Sequence, residues 1–338
     1  MRFTAEGNSG EPGIGTPNAV QSMSHEARPS RLRLRESLGL LAVLALLVAI
    51  FGVFGRNFFS AATFQQVANQ VPALTVLAVG LTFVILTGGI DLSVGSVMAF
   101  SGSILGLAMV DTGLPLVAAL PLAMITGSFC GWVNGFVSVR FRVASFIVTL
   151  GMMQIARGLA FLATDSETRY IGKPVEALGS PVGGLGLSPA ILLALLLVVA
   201  GQIVLRRTVF GRRVLVVGAN EEAAIYSGIR TRPVRIAVFV LAGALAGLAA
   251  AFDCAKLGSV DPNAGSGIEL SAIAAVVVGG TSLMGGRGSV FGSFLGVLII
   301  ATLGAGLANI GASEPLKLLI TGLVIVLAAI ADVCRGRR

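Results

Sequence analysis

The sequence is short of charge: Asp, Glu, Lys and Arg make up 12% of its 338 residues, against about 25% in an average soluble domain. It holds one His, in a polar N-terminal stretch, which nearly removes histidine relays from consideration. The three cysteines are an odd, scattered set: Cys130 and Cys254 fall in or beside apolar runs and Cys334 in a basic tail. No disulfide framework or metal-ligand spacing follows from them. No Gly-Lys-Ser/Thr follows any glycine-rich segment, so the chain carries no phosphate loop of its own.

What remains is apolar. Hydrophobic residues reach 55% and glycine contributes 45 positions, with mean hydropathy +0.92. A soluble domain of this length still exposes much of its area and cannot hide so much apolar surface; a bilayer can. With about 20 residues per spanning helix, ten spans would use about 200 residues. The expected fold is therefore all-α, a polytopic membrane protein of about ten transmembrane helices.

Residues 1–37, rich in Gly, Ser, Pro and Arg without apolar periodicity, read as a disordered tail. The stretch from Leu38 to Gly55 imitates a signal peptide, but it follows a long tail and lacks a small-residue cleavage site, so it reads as a retained first helix. Further spans are expected near 67–87, 91–110, 114–138, 144–164, 188–205, 233–253, 268–284, 288–309 and 316–333. Together 38–333 form the transmembrane body, followed by a basic tail, 334–338. Pro72, Pro121 and Gly80 are tolerated inside spans where neighbours re-satisfy the backbone. Gly243 and Gly247 have the four-residue spacing that lets helices approach closely.

Arg concentrates in the N-terminal tail, at 140–142, 206–213, 230–235 and 287, and in the C-terminal tail. The opposite set of loops holds Arg56, Arg169, Lys173, Lys256 and Lys317. This asymmetry follows the positive-inside rule and places both termini in the cytoplasm. The net charge of +8 is then a topology signal that requires no nucleic acid.

Two glycine-rich segments interrupt apolar runs, Gly88 to Ser96 and Gly279 to Ser289, and their partial likeness suggests an internal duplication of broken helices. Asp91 lies in the first. A carboxylate at membrane depth costs at least about 2.5–3.5 kcal/mol and needs a cavity, a partner or the interface. Either Asp91, Ser93 and Ser96 line or gate a pathway, or Asp91 simply N-caps the next span. Asn69, Asn134, Thr149, Gln154, Arg157, Glu269, Ser271 and Asn309 are further polar groups within or bordering spans. Neutral amides and hydroxyls suit an uncharged polar ligand, and equally suit hydrogen bonds between helices, worth about 0.6 kcal/mol on average.

Between the spans ending near 205 and starting near 233, Asn220 is a good N-cap and Glu221 and Glu222 suit the first turn of a helix. Gly228 can end that helix in a left-handed conformation. The result is a short surface helix offering Ala223, Ala224 and Ile225 for docking. Val214 to Gly218 looks like a strand entering a dinucleotide turn, but lacks the GxGxxG pattern.

Glu222-Ala223-Ala224-x-x-x-Gly228 resembles the coupling-loop signature of ATP-binding-cassette importer permeases. Leu86 to Ser96, Ser145-Phe-Ile-Val-Thr149-Leu-Gly151, Pro262-Asn263-Ala-Gly265 and Glu269 to Ser289 narrow the likeness to the ribose, xylose and galactose class of sugar permeases, from about residue 38 to 333. The chain departs from that class at Ile268-Glu269-Leu270-Ser271-Ala272, where relatives often read Tyr-Glu-Leu-Asp-Ala.

The resemblance implies a multi-pass permease of the bacterial inner membrane importing a monosaccharide or similar small polar solute. It implies no covalent chemistry, no cofactor and no metal in this chain. Separate ATPase subunits would dock on the helix at Asn220–Gly228 within a cytoplasmic loop at about 206–232. A second permease copy, preferably a homodimer, would complete the pathway. A substrate-binding protein would meet Arg56, Arg169, Lys173, Lys256 and Lys317 on the outer face. The competing reading is an ion-coupled secondary transporter acting without an ATPase; a membrane scaffold fits the composition but leaves the surface helix and paired breaks unexplained.

Overall fold

The structure is a computed structural model that describes residues 30–55, 57–181 and 187–336. Residues 1–29 of the expected tail, Arg56 and the last two residues lie outside it, as does the side chain of Asn69. The described residues form helices α1 (Ser30–Phe54), α2 (Ala61–Leu86), α3 (Val94–Val110), α4 (Leu116–Phe141), α5 (Ser145–Thr164), α6 (Lys173–Glu176), α7 (Pro189–Arg207), α8 (Val209–Ala219), α9 (Glu221–Tyr226), α10 (Thr231–Leu257), α11 (Ile268–Val278), α12 (Val290–Asn309) and α13 (Glu314–Gly336). The two short strands β1 (Arg169–Tyr170) and β2 (Ser259–Val260) pair antiparallel. The chain is an all-α membrane protein: among the described residues six helices, in α2, α4, α5, α7, α10 and α12, are long and apolar enough to cross a bilayer.

Lipid is as apolar as leucine, so burial from water cannot hold spanning helices together; close packing must. The sequence supplies small residues where it is needed. Gly127, Gly131 and Gly135 repeat every fourth residue along α4, and a Cβ on any of them would meet the α10 backbone at Gly243, Phe239 or Ile236. Gly243 and Gly247 answer from α10, against the carbonyls of Gly127 and Ala123. The α10 helix also packs on α2 and α3, and Leu77, Leu81, Phe83 and Phe239 fill the space between with almost no exposure. The α2 and α4 helices run through Pro72 and Pro121.

Three elements depart from expectation. Helix α1 begins at Ser30, ahead of Leu38 and inside the stretch read as tail. Helix α11 stops at Val278 rather than reaching 284, because Gly279 packs against the Gly292 carbonyl and Gly280 turns to φ +86. Its eleven residues rise only about 16 Å, half a bilayer core. The strand-like Val214–Val217 run is helical, as α8. With 27 residues, α10 separates the α8–α9 end of the bundle from the β1–β2 strand pair by about 40 Å.

Candidate functional site

The first glycine-rich break is a real interruption: α2 ends at Leu86 and α3 starts at Val94. Its backbone needs partners away from water, and neighbouring side chains provide them. The Ser145 hydroxyl accepts from the Ile90 amide at 3.0 Å and Thr149 Oγ1 from the Leu92 amide at 3.1 Å. The Thr149 hydroxyl also reaches the Ile90 carbonyl, 3.3 Å away. The Ser145-Phe-Ile-Val-Thr149 run is thus one helical turn of α5 that satisfies the backbone of the irregular segment of the break.

Asp91, 2% exposed, folds back on the same segment: its Oδ1 accepts from the Ser93 amide (2.8 Å) and hydroxyl (2.6 Å). Asn134 of α4 donates from Nδ2 to Ser93 Oγ at 2.9 Å, and its Oδ1 is buried without a partner among the described residues. These groups border a crevice shared with Gly131 and Gly243. The N-cap of α3 is Ser93, not Asp91, and no side chain caps it. The structure therefore assembles Asp91, Ser93, Asn134 and Thr149 into one buried polar cluster, with Ser96 buried one turn on.

Of the remaining candidates, Asn309 and Arg157 lie apart from this cluster, whereas the Glu269 carboxylate lies against Gly95 in the first turn of α3. Asn309 donates to Thr63 Oγ1 at 3.0 Å, tying the far end of α2 to α12; Thr63 and Leu86 are about 35 Å apart along that helix. Glu269 and Ser271 sit in the first turns of α11, where Glu269 Oε1 accepts from the Gly267 amide at 3.2 Å. Arg157 of α5 binds backbone: its Nη1 donates to the carbonyls of Pro262 at 2.6 Å and Ala264 at 2.8 Å.

The two breaks meet. The Gly286 amide donates to the Leu86 carbonyl at 2.9 Å. Arg206, at the end of α7, donates to the Gly288 carbonyl at 2.9 Å, and Gln202 Oε1 caps α12 by accepting from the Val290 amide at 3.0 Å. The last turn of α8 is wedged into this junction: a Cβ on Gly218 would overlap the Leu86 carbonyl and crowd the Gly286 amide, both main chain. Gly218 carried no chemical signal in the sequence beyond being a glycine after a valine run, and it was missed as a site residue.

Directly beyond Gly218, Asn220 Oδ1 accepts from the Ala223 amide at 2.9 Å and caps α9. Gly228, at φ +77, closes it, with the Ile229 amide on the Ala224 carbonyl at 3.0 Å. Glu221 is held by Arg235 of α10 at 2.9 Å. Glu222, Ala223 and Ile225 are exposed, and Tyr226 is 91% exposed. Ala224 is not available for docking as expected: it is fully buried in the core, because the helix is pinned to α10 on that side.

At the β1–β2 end, Arg169 already pairs with Asp111 (3.1 Å) and Asp165 (3.2 Å), and Lys317 with Glu314 (2.7 Å). Lys173 and Lys256 lie exposed. Among the described residues no group of His, Cys, Asp and Glu could hold a metal ion.

Comparison with known proteins agrees along most of the chain. The family described as branched-chain amino acid transport system, permease component, matches residues 63–329. The ribose import permease of Bacillus subtilis is 40% identical over 306 residues, 88% of this chain and 92% of that one. Its Escherichia coli K12 counterpart is 35% identical, covering 93% and 98%. The fructose import permease of Rhizobium meliloti is 36% identical, covering 86% and 84%. No solved structure matches.

Proposed function

The chain belongs to the family of branched-chain amino acid transport system permease components and is a permease subunit of the ATP-binding-cassette import class; on that premise we propose that it carries a monosaccharide or similar small polar solute across the bacterial inner membrane, using ATP hydrolysed by separate subunits. Ribose and fructose stand in the names of its relatives, and the polar groups along its spans are chiefly amides and hydroxyls, which suit an uncharged, donor- and acceptor-rich cargo.

In this reading ten segments cross the bilayer, the six long helices being joined by α1, α3, α13 and a segment in which the half-length α11 continues the 261–267 loop, with both termini in the cytoplasm. The arginine distribution supports that orientation. Two copies form the pathway, a binding protein delivers the solute to the β1–β2 end, and the ATPase docks on α9. The observation that carries the proposal is the seat of α9. It is a rigidly capped surface helix, continuous through α8 with a glycine packed into the junction of both broken segments. A displacement of α9 by a closing ATPase would reach Leu86 and Gly286 without an intervening flexible linker.

The test is purification of the tagged chain from membranes with its partner's ATP hydrolysis as readout. Wild type should retain that activity, and Glu222→Arg and Gly228→Trp should lose it by at least about tenfold, since each spoils a docking face without touching the core. No described atom lies within 4 Å of a Cβ at Gly228, so the tryptophan disturbs the turn rather than the bundle. Equal retention by both variants would remove α9 from the interface.

A further inference from the structure

The outward side of α5 exposes Ile147, Leu150, Ile155 and Leu162, and among them at mid-span one polar side chain that lipid would not solvate. Gln154 is the tenth of its twenty residues, about 14 Å from either end, and it is exposed with no hydrogen-bond partner among the described residues. Gly151 and Gly158 lie on the same stripe, exposed, with nothing within 4 Å of where a Cβ would stand. An unpaired amide in hydrocarbon costs about 4–8 kcal/mol on an alkane scale. This stripe therefore faces water or another polar surface.

A second polar surface adjoins it at the same depth. One turn along α5, Arg157 grips the carbonyls on either side of Asn263. That contact draws the 261–267 loop from the β1–β2 strand pair to the middle of the span, where Gly95, near the start of α3, abuts the Glu269 carboxylate and the Gly265 carbonyl. Asn263 and Ser266 are exposed on this loop. Arg157 is held by carbonyls, Asp261 Oδ1 accepts from the Asn263 backbone amide at 2.8 Å and from its Nδ2 at 3.3 Å, and Glu269 Oε1 accepts from the Gly267 amide. The Ser266 hydroxyl donates to the Asn263 carbonyl at 2.9 Å, so the Asn263 side-chain oxygen, the Ser266 oxygen as an acceptor and the whole Gln154 amide are what the face offers a ligand.

We propose that Gln154, Asn263 and Ser266 form half of a mid-membrane binding station for a neutral polyhydroxylated solute, completed by the same residues of a second copy. The Gln154 amide donates and accepts and the two oxygens accept, which matches a ring of hydroxyls and gives no hold on an ion. Arg157 is the positioning residue that fixes the loop. The inference rests on the importer reading, and co-purified ATP hydrolysis reports that reading separately.

The test places cysteine at 154 or 266 in a Cys334→Ser background; Cys130 and Cys254 are buried. The assembled complex is treated with a charged, water-soluble thiosulfonate and, separately, an apolar maleimide. Gln154→Cys and Ser266→Cys should react with the charged reagent, and the Ser266→Cys adduct should cut D-ribose uptake at least about tenfold relative to the unreacted variant, with ATP hydrolysis still co-purifying. Phe129→Cys, from the exposed aromatic stack of Phe129, Trp132 and Phe136 on α4, should react only with the apolar one. Gln154→Leu should lower uptake about tenfold and Gln154→Asn much less. Reaction of Gln154→Cys with the apolar reagent alone would place it in lipid, and reaction with neither would place it in a dry contact between copies. Either result, or wild-type uptake by Gln154→Leu, overturns the proposal.

Discussion

Replacing Gly218 with valine is expected to cut ATP-driven uptake by about tenfold to a hundredfold while leaving the ATPase bound. The branched side chain would have to occupy the position of the Leu86 carbonyl, with the Gly286 amide and the Leu86 carbonyl carbon also too near. These are main-chain atoms, which cannot swing aside as the end of a side chain can, and overpacking of this kind costs about 1–3 kcal/mol. The last turn of α8 must then lift from the junction of the two breaks. The outward face of α9, with Glu222 and Tyr226, stays intact, so docking survives and transmission fails. Gly322→Val on α13, where nothing lies within 4 Å of the added carbon, is the matching control and should transport normally. Uptake by Gly218→Val at the wild-type rate would show that the α8 contact with Leu86 and Gly286 does not carry motion.

The second large effect is on assembly. Gly243→Leu should destabilise the bundle by about 3 kcal/mol. A Cβ there overlaps the Gly127 carbonyl and lies close to the Gly131 amide, so α4 and α10 must separate along a contact that small residues alone permit. Separation also opens the crevice beside Asn134 and Ser93, whose bond crosses from α4 to the first break. The measurement is the thermal midpoint and the monodisperse fraction of the purified protein in detergent. Both should fall well below those of wild type, and Gly304→Leu, whose surroundings are open, should change neither. An unchanged midpoint for Gly243→Leu would refute the α4–α10 packing.

Much of this architecture was legible because it rests on local chemistry. The Asn220 cap, the acidic first turn and the left-handed Gly228 are properties of consecutive residues, and α9 forms as they dictate. The two breaks followed from glycine and polar residues interrupting apolar runs. What the sequence hid depends on contacts between distant main-chain atoms. Arg157 finds its partners in two carbonyls more than a hundred residues away, and no side chain announces a carbonyl. Gly218 looked like any glycine until Leu86 and Gly286 were beside it. The same holds for Asn309, grouped with pathway candidates by polarity yet bonded to Thr63 at a helix junction. The α8 run was strand-like by its valines, and packing against α7 and α10 overrode that preference. Ala224 could be placed on the surface helix from sequence, but only the salt bridge from Glu221 to Arg235 shows which side turns inward.

The central claim is that this chain is a passive conduit worked from outside by ATP, through α9 and the joined breaks. Its most direct test is uptake of labelled pentoses and hexoses by proteoliposomes containing the chain with its ATPase and binding protein. Membrane gradients should be collapsed by ionophores. The account predicts uptake that requires ATP and the ATPase and persists without any gradient. Uptake by the chain alone, driven by a sodium or proton gradient and indifferent to ATP, would contradict it.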